Sequence, residues 1–497
     1  MMHIFEGVKV LAIARQIAAP FAVYQLAMHG ADVISVENPN EPDSMRFVGG
    51  ANQLGATIGL STARFSIHFH ATIMSIKGKA CIVGAFEHPT RKAPNHSVAQ
   101  LHVECALGAL ADAGLSPRDV DAYYCAGDAP GLGPLSILDY MGFKVRHYDT
   151  TEAGGASYLL HVSHAAQAIA AGKCNVALIT LAGRPRTDPV NGRPRDFGAL
   201  SPDVAFEQPY GMSIPAGYAL AARRHMHLYG TTSEQLAWIK VAASTHAQYN
   251  EHAMLREVVT VEQVLASPLV ADPLRRLDCC VVTDGGGALI VARPEIARSL
   301  KRPEVRVLGA GEAVRGTQGG TTDILVTGAA SSGAAAFAEA GVTPADIRYA
   351  SIYDSFTITV LLQLEDLGFC KRGEGGRFVA DGNLISGRGS LPFNTDGGGL
   401  CNNHPSNRGG MTKTIEAVRQ LRGEAHPAVQ VADCGLALVQ GTGGNLGNRH
   451  GSATLILERG WSSCRLVRSN APRHPGRNRR RIPKMPHSSK QWPRACF

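Results

Sequence analysis

The chain has 497 residues, 44% hydrophobic and 18% charged, enough apolar material for a large buried core and too much for global disorder. At roughly 100–200 residues per domain, two to four domains are expected. The net charge of +8 is uneven: residues 461–497 hold eight Arg, two Lys and no acid, so the other 460 sum to −2 and offer no nucleic-acid surface.

Val8 to Ala12 (VKVLA) reads as a buried strand, and Pro20 to His29 as a helix stopped by Gly30. Ala31 to Val36 (ADVISV) reads as a second strand, closing a βαβ unit. MMHIFEGVKVLAI has no basic region followed by a long apolar core, so a secretory signal is not expected. The stretch GVKVLAIARQIAAPFAVYQLAMHGADVISVENPNEPDSMR resembles the start of family III CoA-transferases, with Arg15, Pro20, Gly30, Asp32, Glu37 and Pro39 on its pattern. The likeness covers about 45 residues and fades after Gly50. That family's catalytic aspartate lies further along its members, so residues 1–76 are expected to be a fragment without CoA-transferase activity.

The body begins at Lys77. A strand (Ala80 to Gly84) is followed by a helix (Ser97 to Ala113), a turn, a strand, the helix Ser157 to Ala171 and the strand Val176 to Thr180. A second cycle starts near Val305 and closes on the strand ATLILER. LGALADAGLSPRDVDAYYC and AAAFAEAGVTPADIRYASI share one pattern, helix then AG-(L/V)-(S/T)-P-x-D-(V/I) then strand, about 230 residues apart. That is far beyond a solenoid period and implies two similar α/β halves, 77–300 and 301–460. Residues 185–272 read as an insertion of two or more helices in the first half, the kind of excursion that often carries binding function. No stretch of about 18 apolar residues occurs, so no membrane span is expected.

Residues 461–497 contain five Pro and show no period, so a disordered tail is expected. Eleven scattered Cys, an odd number without CxxC, support neither a disulfide framework nor a zinc ribbon. Free thiols in a reducing cytoplasm are the simple reading. Cys125, Cys279 and Cys280 read as buried strand residues. His161 and His164 share a helix face without an evident third ligand, so no metal site is expected.

Five blocks of the body resemble the thiolase superfamily, closest to sterol-carrier-protein-type thiolases and their degenerate aldolase relatives. They are GGASYLLHVSHAAQAIAAGKCNVALIT, PYGMSIPAGYALAARRHM, PLRRLDCCVVTDGGGALIV, YDSFTITVLLQLEDLGFC and LPFNTDGGGLCNNHPSNRGGM. The resemblance implies a duplicated, five-layer αβαβα fold, a coenzyme A thioester as substrate, no permanently bound cofactor and a homodimer. It also implies acyl-enzyme chemistry, with a thiolate at a helix N-terminus, a second Cys moving a proton, and two oxyanion sites.

The chain departs from that pattern at both thiols. Gly155 stands in the nucleophile's place, and Gly441 stands at or near the second cysteine's. His404, in Asn403-His404-Pro405, matches the family's Gly-His-Pro histidine. Tyr353-Asp354-Ser355-Phe356 replaces the Asn-Glu-Ala-Phe block. Such groups suit acid–base and oxyanion work better than covalent catalysis. The expectation is therefore retro-aldol cleavage of a β-hydroxyacyl-CoA or an atypical thiolysis, with Tyr353 moving a proton and His404 in an oxyanion site. Ser213, Gly154, Ser157 and Asn403 are the candidates for holding the thioester. Backbone N–H groups at Gly154 and Gly155 would suit an anionic oxygen, while Asp354 and Ser355 read equally as caps of the next helix. Cys401 is either a relocated nucleophile or a core-filling thiol. Degenerate aldolases of this type work with a small zinc-ribbon/OB-fold partner. The other reading is a non-catalytic acyl-CoA or lipid-binding subunit of a complex.

Overall fold

The structure is a computed structural model that describes residues 9–12, 32–35, 75–189, 213–316, 321–406, 408–447 and 449–460. The chain forms two compact units, Met1–Ile73 and Met74–Phe497. In the first, strands β1 (Lys9–Ala12) and β2 (Asp32–Ser35) pair in parallel, Lys9 opposite Asp32, as a βαβ unit requires. The helix expected over Pro20–His29 and the basic tail lie outside the described residues.

The second unit is built on one nine-stranded sheet. Its strands are β3 (Cys81–Glu87), β4 (Ala122–Tyr124), β5 (His147–Asp149), β6 (Val176–Gly183), β9 (Gly285–Ala292), β10 (Val305–Arg315), β11 (Tyr349–Ile352), β12 (Leu436–Gly444) and β13 (His450–Arg459). A separate two-stranded ribbon joins β7 (Leu269–Ala271) to β8 (Leu274–Arg275). The order is β11-β12-β13-β10-β3-β9-β6-β4-β5. Outward from the central β10–β3 pair, both arms run antiparallel, antiparallel, parallel. The duplication in the sequence is thus a duplication of topology, with β5 as an extra edge strand.

The repeated motif explains itself in both halves. Helix α1 (Val98–Ala113) ends on Gly114 at φ 71°, and the corresponding helix, Ala329–Ala340, ends on Gly341 at φ 70°, a left-handed backbone that glycine adopts freely. Ser116 and Thr343 then form capping boxes with Asp119 and Asp346 around a Pro-started turn, which feeds β4 and β11.

Two helices fill the layer between the arms, α2 (Ser157–Ala170) and, after the insertion, Gly410–Arg422. Alternation along the strands sends successive side chains to different cores. Val176 and Leu178 pack on the α1 side, while Ala177, Ile179 and Leu181 pack on the central helices. In the second arm, Leu438 and Ile456 face the outer helices, while Ala437, Val439, Leu455 and Leu457 face the central pair. The result is five layers, helix, sheet, helix, sheet, helix. The insertion supplies α3 (Ile214–Tyr229), α4 (Ser233–Ala247) and the short helix Val261–Ala266. Four further helices in chain order are α5 (Ala329–Ala340), α6 (Thr357–Asp366), the short α7 (Gly398–Cys401) and α8, the central Gly410–Arg422. No helix among the described residues is long and apolar enough to cross a membrane.

Candidate active site

Tyr353 leaves the end of β11. Its backbone N–H donates to the Gln440 carbonyl of β12 at 3.0 Å, and its carbonyl accepts from Gln363 Nε2 of α6 at 2.7 Å. These bonds fix where the ring points. Its hydroxyl lies 2.9 Å from His404 Nε2, with the two rings edge to face.

His404 sits on the loop between α7 and α8. Its N–H donates to Thr283 Oγ1 at 3.0 Å, and the Thr283 hydroxyl donates to Asn403 Oδ1 at 2.6 Å. Asn403 Nδ2 donates to Glu87 Oε1 at 2.9 Å, and Arg91 donates to the Asn402 carbonyl and side chain at 3.2 and 2.7 Å. Asn403 therefore holds the loop. Glu87 is buried, yet Arg91 and Arg419 beside it hold its carboxyl down at about 2, so it stays charged as the anchor of this clamp.

The turn Ala153–Ser157 meets this pair from the first half. A Cβ on Gly155 would lie 2.2 Å from Tyr353 Cε2 and 2.5 Å from the Thr442 carbonyl. The Tyr353 ring thus fills the space that a side chain at the nucleophile's place would need. A Cβ on Gly441 would meet Leu159 methyls at 2.9 and 3.2 Å, so this position packs on α2. The Gly154 N–H is taken by the Glu152 carboxylate at 2.8 Å, and Ser157 Oγ accepts from the Ala153 N–H at 2.8 Å. The Gly154 N–H is thus committed to the turn rather than open to an anionic oxygen. Arg408, from the His404 loop, pairs with Glu152 at 2.8 Å and with buried Asp128 at 3.4 Å, locking the glycine turn to that loop.

Asp354 caps a helix other than the expected one. Its carboxylate accepts from Gly399 and Leu400 N–H at 2.8 and 3.1 Å and pairs with buried Lys413 of α8 at 2.8 Å. Phe356, which precedes α6, is extended, and that helix start has no side-chain cap. Ser355 instead bonds the Thr359 hydroxyl at 3.0 Å. Ser213 caps α3, accepting from the Ala216 N–H at 3.4 Å. The ring of Tyr218, on that helix, packs on Phe356 at 4.5 Å between centroids.

Burial pushes His404 down to about 4, opposed by the Asp354 carboxylate and reinforced by Lys413, so the imidazole is neutral. Burial pushes the Tyr353 hydroxyl well above its ordinary value, so it holds its proton. Cys401 is fully buried in the core. Cys279 and Cys280 are not strand residues. They follow the turn Arg276–Asp278 and are half-buried, and Cys280 Sγ lies 3.8 Å from His404 Nδ1. His164 bonds Asp149 at 2.7 Å, and His161 packs on the rings of Tyr124 and Tyr158. Among the described residues no three His, Cys, Asp or Glu gather as a metal site.

Sequence reasoning missed Cys280, Thr283, Glu87, Arg91, Arg408 and Lys413. Most of their contacts join residues more than about a hundred positions apart and carry no spacing signal. Lys413 and Glu416, charged positions inside a helix that had to be buried, were the one available hint.

Residues 311–459 match the thiolase C-terminal domain-like family, and residues 5–67 match CoA-transferase family III, further than Gly50, where the pattern stops being legible. The chain is 36% identical over 371 residues to the 17-hydroxy-3-oxo-4-pregnene-20-carboxyl-CoA lyase of Mycobacterium tuberculosis, covering 70% of this chain and 92% of that enzyme. It is 37% identical over 352 residues to an acetyl-CoA acetyltransferase of Methanothermobacter thermautotrophicus, covering 69% and 91%. Among solved structures, the Ltp2-ChsH2(DUF35) aldolase superposes with a TM-score of 0.71 at 34% identity, covering 79% of this chain and 100% of that one.

Proposed function

The chain belongs to the thiolase superfamily and makes or breaks a carbon–carbon bond of an acyl-CoA thioester; from that premise we propose that it cleaves a β-hydroxyacyl-CoA by a retro-aldol reaction centred on Tyr353 and His404. The observation that carries this reading is the Tyr353 ring in the space of a Gly155 side chain, with its hydroxyl on His404. An acyl-enzyme needs a nucleophile there; an acid–base group stands in its place.

The bond that breaks joins the α and β carbons. Its electron pair passes to the thioester as an enolate, the β-carbon becomes a ketone or aldehyde, and the β-hydroxyl proton leaves. As the bond breaks, the α-carbon takes a proton from Tyr353, which burial keeps protonated, and the Tyr353 oxygen takes the β-hydroxyl proton in the same step, giving a shorter acyl-CoA without consuming free CoA. Neutral His404 supports Tyr353 by hydrogen bond, the role of a preorganised donor near developing charge. Gly441, Asp354, Ser355, Ser157, Asn403 and Gly154 shape and hold the site. Ser213 reaches the substrate only through the placement of α3.

The similarity to a lyase acting on a steroid carboxyl-CoA favours a bulky, polycyclic acyl group. A two-component relative supports a zinc-ribbon/OB-fold partner here as well. A homodimer formed through the first half fits the exposed Leu132, Leu135, Tyr140 and Tyr148 near the edge strand β5. The free cysteines among the described residues fit a cytoplasmic setting.

Purified protein incubated with β-hydroxyacyl-CoA and β-ketoacyl-CoA panels, with and without free CoA, should release a ketone or aldehyde by mass spectrometry without CoA. Tyr353→Phe should lose at least about 100-fold in rate. Cleavage that consumes free CoA, or full activity in Tyr353→Phe, would overturn the proposal.

A further inference from the structure

Both ring nitrogens of His404 are engaged, at opposite ends. Nε2 faces the Tyr353 hydroxyl at 2.9 Å, and Nδ1 faces Cys280 Sγ at 3.8 Å. The cysteine is not there by chance of a loose loop. Its N–H donates to the Ser355 carbonyl at 2.9 Å, and the next residue's N–H donates to the Gly399 carbonyl at 2.9 Å. Cys279 bridges to Phe356 and Thr283 to Pro405. The segment 279–283 is stitched between the Tyr353 block and the His404 loop, presenting the thiol to the imidazole.

We propose that Cys280 is a positioning residue: its thiol donates to Nδ1 of His404 and so fixes the imidazole as the tautomer whose Nε2–H faces Tyr353. A neutral imidazole carries one N–H, and the group bonded to one nitrogen decides which nitrogen holds it. Burial supports the donor role, pushing the thiol up to about 12 and the imidazole down to about 4, so the sulfur keeps its proton and the ring takes no second one. With the thiol donating to Nδ1, Nε2–H donates to the Tyr353 oxygen. The Tyr353 proton is then free to point at the substrate, and a tyrosinate formed in turnover is met by a donor. In the other tautomer, Tyr353 donates to Nε2 and its proton is tied up.

This rests on the Tyr353–His404 reading of the site, but its test needs no substrate. Imidazole nitrogen NMR of the full chain, with the His404 signal assigned by its loss in His404→Asn, should show the Nε2–H tautomer in the wild type. Cys280→Ala should shift His404 toward Nδ1–H, and Cys280→Ser, which keeps a donor, should restore it. With a cleaved thioester in hand, Cys280→Ala should lower kcat about tenfold at unchanged KM, the scale of one hydrogen bond, and Cys280→Ser should recover most of it. An identical tautomer in the wild type and Cys280→Ala would overturn the proposal. A tautomer that follows the thiol while no thioester is cleaved would uphold it and overturn the retro-aldol reading instead.

Discussion

The two central helices occupy equivalent places in the duplicated halves, yet they are made of opposite side chains. In α2 the buried face is largely Tyr158, Leu159, Val162, Ala165, Ala166 and Ile169. In α8, as deeply buried, Thr412, Lys413, Thr414, Glu416 and Gln420 go inside with the apolar residues. A buried polar group has to be matched; the two threonines bond back to the helix start, and the other three reach segments around the site. Lys413 holds Asp354, the Glu416 carboxyl accepts from Thr395 at 2.5 Å, and Gln420 donates to Thr395 at 2.8 Å. Of the central helices, α2 supplies a largely apolar wedge that starts from two glycines. Helix α8 supplies a polar scaffold behind Tyr353 and His404. Symmetric topology thus carries unlike central helices.

The strongest way to break this comparison is at Lys413. Lys413→Met leaves the Asp354 carboxylate buried without its cation and should cost about 3–5 kcal/mol of stability, measured by urea unfolding. An apolar substitution of similar size within α2, such as Leu159→Met, should cost under about 1.5 kcal/mol. Equal costs would mean that α8 is held by packing alone.

The glycines sharpen the comparison from the other side. Gly155→Ala puts a methyl into the Tyr353 ring and a backbone carbonyl, so the ring must move. Stability should fall by about 1–3 kcal/mol, and activity should fall further than that loss explains. Gly441→Ala meets first the flexible ends of Leu159 and then the Ala156 backbone at 3.3 Å, and should keep most of the activity. Both variants equally active would separate the Gly155 space from the Tyr353 role.

Much of the fold was legible because the determinants are local. The AG-L-S-P and AG-V-T-P turns encode a left-handed stop, a capping box and a strand entry in about ten residues, and the structure forms both. His404 and Tyr353 were legible through the family blocks around them. Their mutual contact, across 51 residues, was not, and neither was Cys280, which reads as one more apolar strand position until the loop folds over it. Asp354 shows the same limit. An acidic residue ahead of a helix reads as its cap, and only the tertiary placement of α7 gives it a different one.

Acid stability tests whether the inert central helix is indeed only packing. Burial holds His161 of α2 and His404 ahead of α8 both down to about 4. The unfolded chain takes up these protons near pH ~6.5, and the folded chain refuses them until about 4. Between those limits the unfolded state binds more protons, so stability falls as the pH falls. His161 packs between aromatic rings, so His161→Phe should keep the core filled and remove its share of the loss. Relative to the wild type it should gain about 1–2 kcal/mol on going from neutral pH to about pH 5, at roughly 1.4 kcal/mol per unit, with activity at neutral pH unchanged. His404→Asn should flatten the same acid limb but abolish turnover. If His161→Phe also abolished turnover, α2 would carry chemistry, and the division between an inert and a working central helix would fail.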